Sequence, residues 1–410
     1  MDSPSTKAMD ADNIVAAISR LADELGAHRT LTSDQEKQLR RACEKVMSRL
    51  RESTLELQFP ETTAIKIAVD MGVFDFVCGS EKNEFTVNEI AERTGTDPVL
   101  VVQRIMRPLV LNRLFTPTSH NTYKANRSVQ DLAPGAHIRD MVNFTHDVAD
   151  LALLKLPEYL SKNKYHNPDR ADATAFQYAH QTHEPFYTWL RHRPSLYSAF
   201  CGMMKSTEDS AARWPDLFPV RKRFERFRRP TAQRALRVVD IAGGKGYNIQ
   251  RLLHHIPDLK GDLILQDVAE VLGNRPSHVD ASICEMPHNF FDPQPVTGAD
   301  VYALTRVLHN WTDKECRMIL GHIAAAMNRD SILLIGDKVF PTGAAEVSPA
   351  DVMADMSMMM LLGGMERTEA QLRELLSCTG LEVVKLWRST GPVNDNEGLL
   401  EVKLADSPRL

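Results

Sequence analysis

At 410 residues, 43% of them hydrophobic and 25% charged, the chain has the composition of a globular protein and the length for two or three domains, each able to bury a core. Its net charge of −5 speaks against a nucleic-acid binder that works by neutralising phosphates. The six cysteines (43, 78, 201, 284, 316 and 378) form no CxxC pair and no framework spacing, which excludes a disulfide scaffold or a zinc ribbon in favour of reduced thiols.

The first twelve residues are polar and acidic, a disordered tail rather than a signal peptide. No apolar run approaches the ~20 residues of a membrane span, so a cytoplasmic protein is expected. From Asn13 to about Leu55 apolar residues fall at helical spacing (Ile14, Ala17, Ile18, Leu21, Leu25, then Leu39, Ala42, Val46, Leu50). A pair of helices at this end suits packing against a partner subunit or a solvated cap. Ala64 to Val77 reads as a helix ending at Gly72-Val73-Phe74. Thr86 caps a helix over Val87–Arg93 with Glu89 at the capping-box position. A second helix runs from about Val99 to Leu111, and Phe115 to Tyr123 forms a hairpin turning at His120-Asn121. Helix, turn, helix and hairpin make a winged-helix pattern. The second helix is mostly apolar, with only Arg104 and Arg107 basic, so a dimerisation or substrate-lid role is expected rather than DNA contact.

Residues 136–230 are expected to be a helical layer and linker, rich in aromatics and Met (Phe144, Phe176, Phe186, Tyr187, Trp189, Phe200, Met203, Met204). Such a stripe is mostly core, with a minority lining a pocket for a flat apolar substrate. The basic run from Arg221 to Arg229 reads as a solvated linker. From 231 to 410 the pattern alternates. Strands are expected at Leu236–Ile241, Gly261–Gln266, Asp300–Leu308 and Ser331–Asp337, helices at Asn248–His255, Val268–Leu272, Lys314–Met327 and Glu369–Thr379. Glu382–Arg388 and Leu399–Leu404 suit a terminal antiparallel pair. The expected fold class is α/β, a doubly wound, mainly parallel Rossmann-like sheet behind an all-α and winged-helix N-terminal dimerisation domain spanning 13–135.

Two elements carry chemistry. The strand ending at Asp240 leads into Ile241-Ala242-Gly243-Gly244-Lys245-Gly246 and then a helix. Small residues there let backbone approach a ligand, and the helix N-terminus presents free N–H groups. Asp267 ends the next strand, suited to ribose hydroxyls. This pairing is common to NAD and S-adenosylmethionine sites; the acidic residue before the turn and the absence of G-x-G-x-x-G favour S-adenosylmethionine. The second element is His309, in Val307-Leu308-His309-Asn310-Trp311, at the end of an apolar run.

With these stretches go His288-Asn289-Phe290-Phe291-Asp292-Pro293, Gly298-Ala299-Asp300-Val301-Tyr302 and Gly363-Gly364-Met365-Glu366-Arg367-Thr368. As an ordered set, residues 61–404 resemble the plant- and fungal-type small-molecule O-methyltransferases that use S-adenosylmethionine. The resemblance implies a homodimer whose winged helix closes over the partner's substrate, and a natural-product acceptor of aromatic or polyketide type. It implies His309 as the general base, flanked by Asp337 and Glu366. It implies cofactor contacts at Asp240, Gly243, Gly244, Gly246, Asp267, Asn289 and Phe290. Substrate contacts are expected from His146, Phe186, Trp189, Met203, Met204 and Asn310. No metal, nucleic acid or membrane partner is expected.

The chain departs from the family pattern at Ala242, a mild change from Gly, and at Thr305, Asn310, Asp337 (a shortened Glu), Lys338 and Met365. Lys338 has two readings. On the strand face opposite Asp337 it pairs with a carboxylate; in the pocket it is an electrophilic catalyst beside a substrate carbonyl. The second belongs with an alternative function, an O-methyltransferase-like pericyclase that binds S-adenosylmethionine and catalyses dehydration, cycloaddition or rearrangement without methyl transfer, with Lys338, His146 or both contacting substrate. A winged-helix regulator with a ligand-binding domain is a third reading, disfavoured by the weakly basic second helix.

Overall fold

The computed structural model describes residues 61–97, 101–210, 213–227, 236–273, 280–343, 347–388 and 396–406, together with single positions before residue 61. The chain divides into two compact units, Met1–Leu57 with Thr390–Asn394, and Gln58–Ser389 with Asp395–Leu410. In the first unit the described positions 16, 17, 19, 20, 35, 39, 42 and 43 are helical, where the helical pair is expected. Thr32 and Gln35 exchange reciprocal side-chain to backbone hydrogen bonds, a capping pair at the start of the second stretch. The expected tail at 1–12 lies outside the described residues.

In the second unit, the expected helix over 64–77 is two helices, Glu61–Asp70 and Val73–Cys78. Gly72 breaks it with φ 76°, a left-handed conformation that glycine adopts without steric cost. Thr86 and Glu89 form the full capping box of Val87–Thr94, and a helix follows at Val101–Leu111; Val99 and Leu100 lie outside the described residues. The hairpin Phe115–Ser119 and Thr122–Ala125 is joined by Glu84–Thr86 into a three-stranded antiparallel sheet. The six-residue helix Val73–Cys78 and the strand Glu84–Thr86 were too short to carry a periodic signal.

The main sheet runs in the order Leu381–Arg388, Glu397–Leu404, Ile332–Phe340, Val301–Thr305, Leu236–Ile241, Gly261–Asp267, Ile283–Pro287, with the two-residue strand Arg367–Thr368 beside the end of Ile332–Phe340. The five strands from Ile332–Phe340 to Ile283–Pro287 are parallel, and the terminal pair adds antiparallel. Both faces are covered, and the strand period of two divides the side chains between them. Val239, Ile241, Tyr302, Leu304, Leu333 and Ile335 pack on one face under Asp313–Ala326 and Glu369–Ser377. Leu236, Val238, Val301, Ala303, Ile332 and Leu334 pack on the other, with Trp214, Ile249 and Leu252 from Trp214–Leu217 and Tyr247–His255. The chain steps outward from Leu236–Ile241 in one direction and then returns to Val301–Thr305 on its other side. The crevice at the carboxyl ends of these two strands is therefore the topological switch point, where open α/β sheets bind ligands.

Three expectations change. The strand expected over 300–308 stops at Thr305, because Arg306 turns left-handed (φ 55°) and Leu308–Asn310 is one 3-10 turn. The basic run at 221–229 is no solvated linker where described. Val220–Phe224 is a helix with Val220 and Phe224 in the core, and Arg223 pairs with the buried Glu401; Arg228 and Arg229 lie outside the described residues. The strand Ile283–Pro287 and the helix Pro349–Leu362 are additional to the expected pattern.

Gly321 sits inside Asp313–Ala326 with open space where a Cβ would go. Gly321→Ala therefore removes backbone entropy from the unfolded chain without a clash, and is expected to stabilise the protein by about 0.5–1 kcal/mol. The check is a higher denaturant midpoint at unchanged m-value; a lower midpoint contradicts the open-space reading.

Candidate active site

The glycine turn leaves the strand Leu236–Ile241 at the switch point. Gly243 N–H donates to the Gln266 carbonyl at 3.1 Å, which ties the turn to the neighbouring strand. Gly244 (φ 59°) and Gly246 (φ 82°) are left-handed, and Gly246 caps Tyr247–His255. Ala242 is also left-handed (φ 53°). A Cβ there costs roughly 1–2 kcal/mol, so the expected mild change is a strained one.

A Cβ on Gly243 would sit 2.6 Å from Asp240 Oδ2. Only glycine lets the turn pass this close to the carboxylate. Asp240 is fully buried, and neither oxygen has a hydrogen-bond partner among the described residues. Burial, reinforced by the Asp267 charge and opposed by Arg213, pushes its carboxyl up to about 7. A buried carboxylate with unused acceptors fits a ligand that brings a cation with N–H donors, as the amino-acid end of S-adenosylmethionine does. Asp267 is oriented by accepting hydrogen bonds from Gly244 N–H (2.9 Å) and Val268 N–H (2.8 Å). Asn289 and Phe290 follow the strand Ile283–Pro287, whose last residue pairs in register with Asp267. Asn289 Oδ1 accepts from Phe291 N–H, and Phe290 packs against Phe291 and Trp311. These positions share the carboxyl edge of the sheet with Asp267.

His309 stands on the 3-10 turn beyond Val301–Thr305, not on a strand. Its Nδ1 lies 2.9 Å from Glu366 Oε1. Asp337 shares a strand face with Leu333, Ile335 and Val339, the face on which Val307 and Leu308 pack. It is 3% exposed, and among the described residues both its oxygens lack hydrogen-bond partners, as does Glu366 Oε2. Burial disfavours the imidazolium of His309, but the Glu366 hydrogen bond and the charges of Asp337 and Glu366 outweigh it and hold the ring above its ordinary value of 6.5. Burial pushes the Asp337 carboxyl up to about 7, against the pull of His309.

Two residues hold this arrangement in place. Arg367 donates to the carbonyls of Leu308 and Trp311, each at 2.8 Å, and to Asp313 Oδ1, so one buried guanidinium clamps both ends of the His309 turn. A Cβ on Gly364 would fall on the His309 carbonyl oxygen and lie 2.7 Å from the Asn310 carbonyl carbon. Glu366 N–H donates to Asp355 of Pro349–Leu362, which fixes the other side. Both residues stand in the family motif, yet their partners lie over fifty residues away in sequence, so no local pattern announces the role.

The remaining expected site residues stand as follows. Lys338 alternates to the strand face opposite Asp337, and its ammonium lies 2.5 Å from Asp351 Oδ1, at the N-terminus of Pro349–Leu362. This contact corresponds to the carboxylate-paired reading of the two. The reason is the strand period of two. Phe186 and Trp189 are buried core: Phe176 meets Phe186 at 5.2 Å and Trp189 at 5.1 Å between ring centroids. Met203 packs against the same cluster, while Met204 is half-buried on Pro194–Ser210. His146 is half-buried on a five-residue π-type turn, Thr145–Ala149, beside Asp147. The Asn310 side chain donates to the Arg306 carbonyl at 3.3 Å. Among the described residues no helix is long and apolar enough to cross a membrane.

This geometry agrees with what the chain is similar to. An O-methyltransferase domain matches residues 225–382, and an O-methyltransferase dimerisation domain matches 55–131. Demethylsterigmatocystin 6-O-methyltransferase of Aspergillus flavus is 31% identical over 320 residues, covering 78% of this chain and 80% of its own. Among solved structures, one described as a pericyclic reaction enzyme is 27% identical, with a TM-score of 0.77 and coverage of 95% of this chain and 99% of that one. LepI in complex with S-adenosylmethionine is 26% identical, with a TM-score of 0.77 and coverage of 96% and 100%. The chain belongs to the O-methyltransferase family, whose cofactor is S-adenosylmethionine.

Proposed function

We propose that the protein methylates a phenolic or enolic hydroxyl of an aromatic or polyketide-type natural product, as a homodimer, with His309 as general base. The observation that carries this reading is the buried contact between His309 Nδ1 and Glu366 at the switch point. With Nδ1–H donated to the carboxylate, the Nε2 lone pair is left to accept the hydroxyl proton. Asp337 adds negative charge that favours the imidazolium once formed. S-adenosylmethionine, when bound, supplies a methyl group already activated for displacement at its sulfonium. What remains for the protein is alignment and removal of one proton. The glycine turn and Asp267 support the nucleoside end. Similarity to demethylsterigmatocystin 6-O-methyltransferase supports a natural-product hydroxyl as acceptor, and the dimerisation domain supports the homodimer.

A second reading, a pericyclase that retains the cofactor, draws on the structural similarity to the pericyclic reaction enzyme. The pairing of Lys338 with Asp351 weighs against it, since one of the two residues it drew on, Lys338 and His146, is engaged with a carboxylate. The test is to offer S-adenosylmethionine with a panel of aromatic and polyketide hydroxyls and follow product mass and S-adenosylhomocysteine together. A gain of one methyl with an equal amount of S-adenosylhomocysteine is expected. An isomerised or dehydrated product without S-adenosylhomocysteine would overturn the first reading in favour of the second.

The base must be neutral to accept a proton, and its surroundings favour the protonated form. The rate is therefore expected to fall as pH drops through a midpoint above 6.5, the ordinary imidazole value. Glu366→Gln removes the charge that raises His309 and is expected to move this acid limb to lower pH. A limb that stays in place in the pH profile of kcat removes Glu366 from the role.

A further inference from the structure

We propose that Lys338 is a positioning residue for the base: its ion pair with Asp351 pins the helix Pro349–Leu362 to the strand Ile332–Phe340 and thereby holds Glu366 against His309. This inference rests on the reading of His309 as general base, and it adds a residue that acts through others.

One strand carries both Asp337, whose charge bears on His309, and Lys338, whose ammonium reaches Asp351 on the other face. Asp351 is 1% exposed and stands at the N3 position of its helix, in a capping box with Ser348. Its Oδ2 accepts hydrogen bonds from Ser348 Oγ (2.7 Å) and Asn396 Nδ2 (2.9 Å), which leaves Oδ1 to Lys338. Burial works against this carboxylate, but the hydrogen bonds from Lys338 and Ser348 outweigh it and hold its carboxyl below the ordinary value of 3.8. One turn further along the same helix face stands Asp355. It accepts the Glu366 N–H at 2.8 Å, and Glu366 in turn holds His309 Nδ1 at 2.9 Å.

The same node reaches the His309 turn from its other end. The Asn396 carbonyl accepts the Val339 N–H at 2.7 Å, and the next residue, Glu397, lies opposite Lys338 in strand register. Glu397 pairs with Arg306, the left-handed residue that opens the turn and donates its N–H to the Gly336 carbonyl at 2.7 Å. The base is thus held between two polar arms that meet at Lys338 and Asp351. A buried ion pair adds little net stability over an apolar pair of the same volume, but its hydrogen-bond geometry is directional. Without it the helix start is free to shift along the strand, and a shift would draw Asp355 and Glu366 away from the imidazole.

The test is the titration of His309 in the full chain, followed by NMR of isotope-labelled histidine with the resonance assigned by its absence in His309→Gln, beside kcat and KM for methyl transfer. Burial lowers the His309 midpoint; the Glu366 hydrogen bond and the charges of Asp337 and Glu366 raise it, and Arg306 lowers it. Removing an ammonium would by itself raise an imidazole midpoint, whereas loosening the Glu366 hydrogen bond lowers it, so the sign separates charge from position. Lys338→Met is expected to lower the midpoint by about half a pH unit or more and kcat by about tenfold, with S-adenosylhomocysteine binding unchanged. Lys338→Arg, which can re-form the pair, is expected to bring both back toward the parent values. Lys338→Met combined with Asp351→Asn keeps the cap hydrogen bonds and leaves no buried charge uncompensated. It is therefore the variant to read if Lys338→Met does not fold, and the same fall is expected. A midpoint that rises or stays in place, or a fall that Lys338→Arg does not reverse, overturns the proposal. Parent protein that transfers no methyl group removes the base reading, and the midpoint then decides the positioning by itself.

Discussion

Replacement of His309 by Ala is expected to lower kcat for methyl transfer by about 10²–10⁴-fold, the usual contribution of a positioned general base. Binding of S-adenosylhomocysteine should be unchanged. The argument is one of position. His309 is the titratable side chain that the 3-10 turn carries into the crevice, and its Nδ1 is occupied by Glu366, so one nitrogen remains for the acceptor. The residues proposed to hold the cofactor sit on a different strand end, across the switch point. A variant that keeps full methylation would remove His309 from the base role. One that loses cofactor affinity as well would show that the turn had collapsed, and His309→Gln, which keeps the volume, separates these outcomes.

Gly364→Ala has the other large expected effect, although Gly364 touches no reacting atom. The added Cβ would meet backbone, the His309 carbonyl oxygen and the Asn310 carbonyl carbon, rather than a flexible side-chain end. Backbone held by the Arg367 clamp has little room to yield. The turn must shift, and a displacement of about 1 Å at a catalytic group costs about 10²-fold in rate. Overpacking of this kind also destabilises by about 1–3 kcal/mol. The expected result is a hundredfold lower kcat, a lower denaturant midpoint and unchanged cofactor affinity. Parent-like turnover would mean that the loop bearing Glu366 moves independently of His309. Gly321→Ala is the matched control, since it adds the same methyl where nothing stands within 4 Å.

Much of this arrangement was legible in the chain. The alternation from residue 236 onward, the glycine turn after Asp240 and the carboxylate at Asp267 are short-range patterns, because a parallel strand, a tight turn and a helix each impose a local period or a local steric rule. The capping box at Thr86 and Glu89 was read directly for the same reason. Boundaries were less legible. The apolar run through Leu308 looked like strand throughout, whereas the left-handed Arg306 ends it, and nothing in the composition of Thr305-Arg306-Val307 signals that turn. Phe186 and Trp189 are expected as substrate contacts from a stripe that is mostly core, yet both pack in a buried cluster, since an aromatic residue looks the same in sequence on either side of a helix.

The sequence by itself determined the class of fold and marked the glycine turn and His309 as candidates for cofactor cradle and base, because each is written in residues adjacent along the chain. Only the tertiary structure decided what each charged group faces. Asp337 and Lys338 are neighbours in sequence, yet pleating sends one toward His309 and the other to Asp351. Glu366, Arg367 and Gly364 meet the His309 turn from more than fifty residues away, and Arg213 of the helical layer stacks on Tyr247, the first residue of the helix after the glycine turn. Contacts of that range depend on how layers pack and on which side of a strand a residue falls, and no local period carries that information.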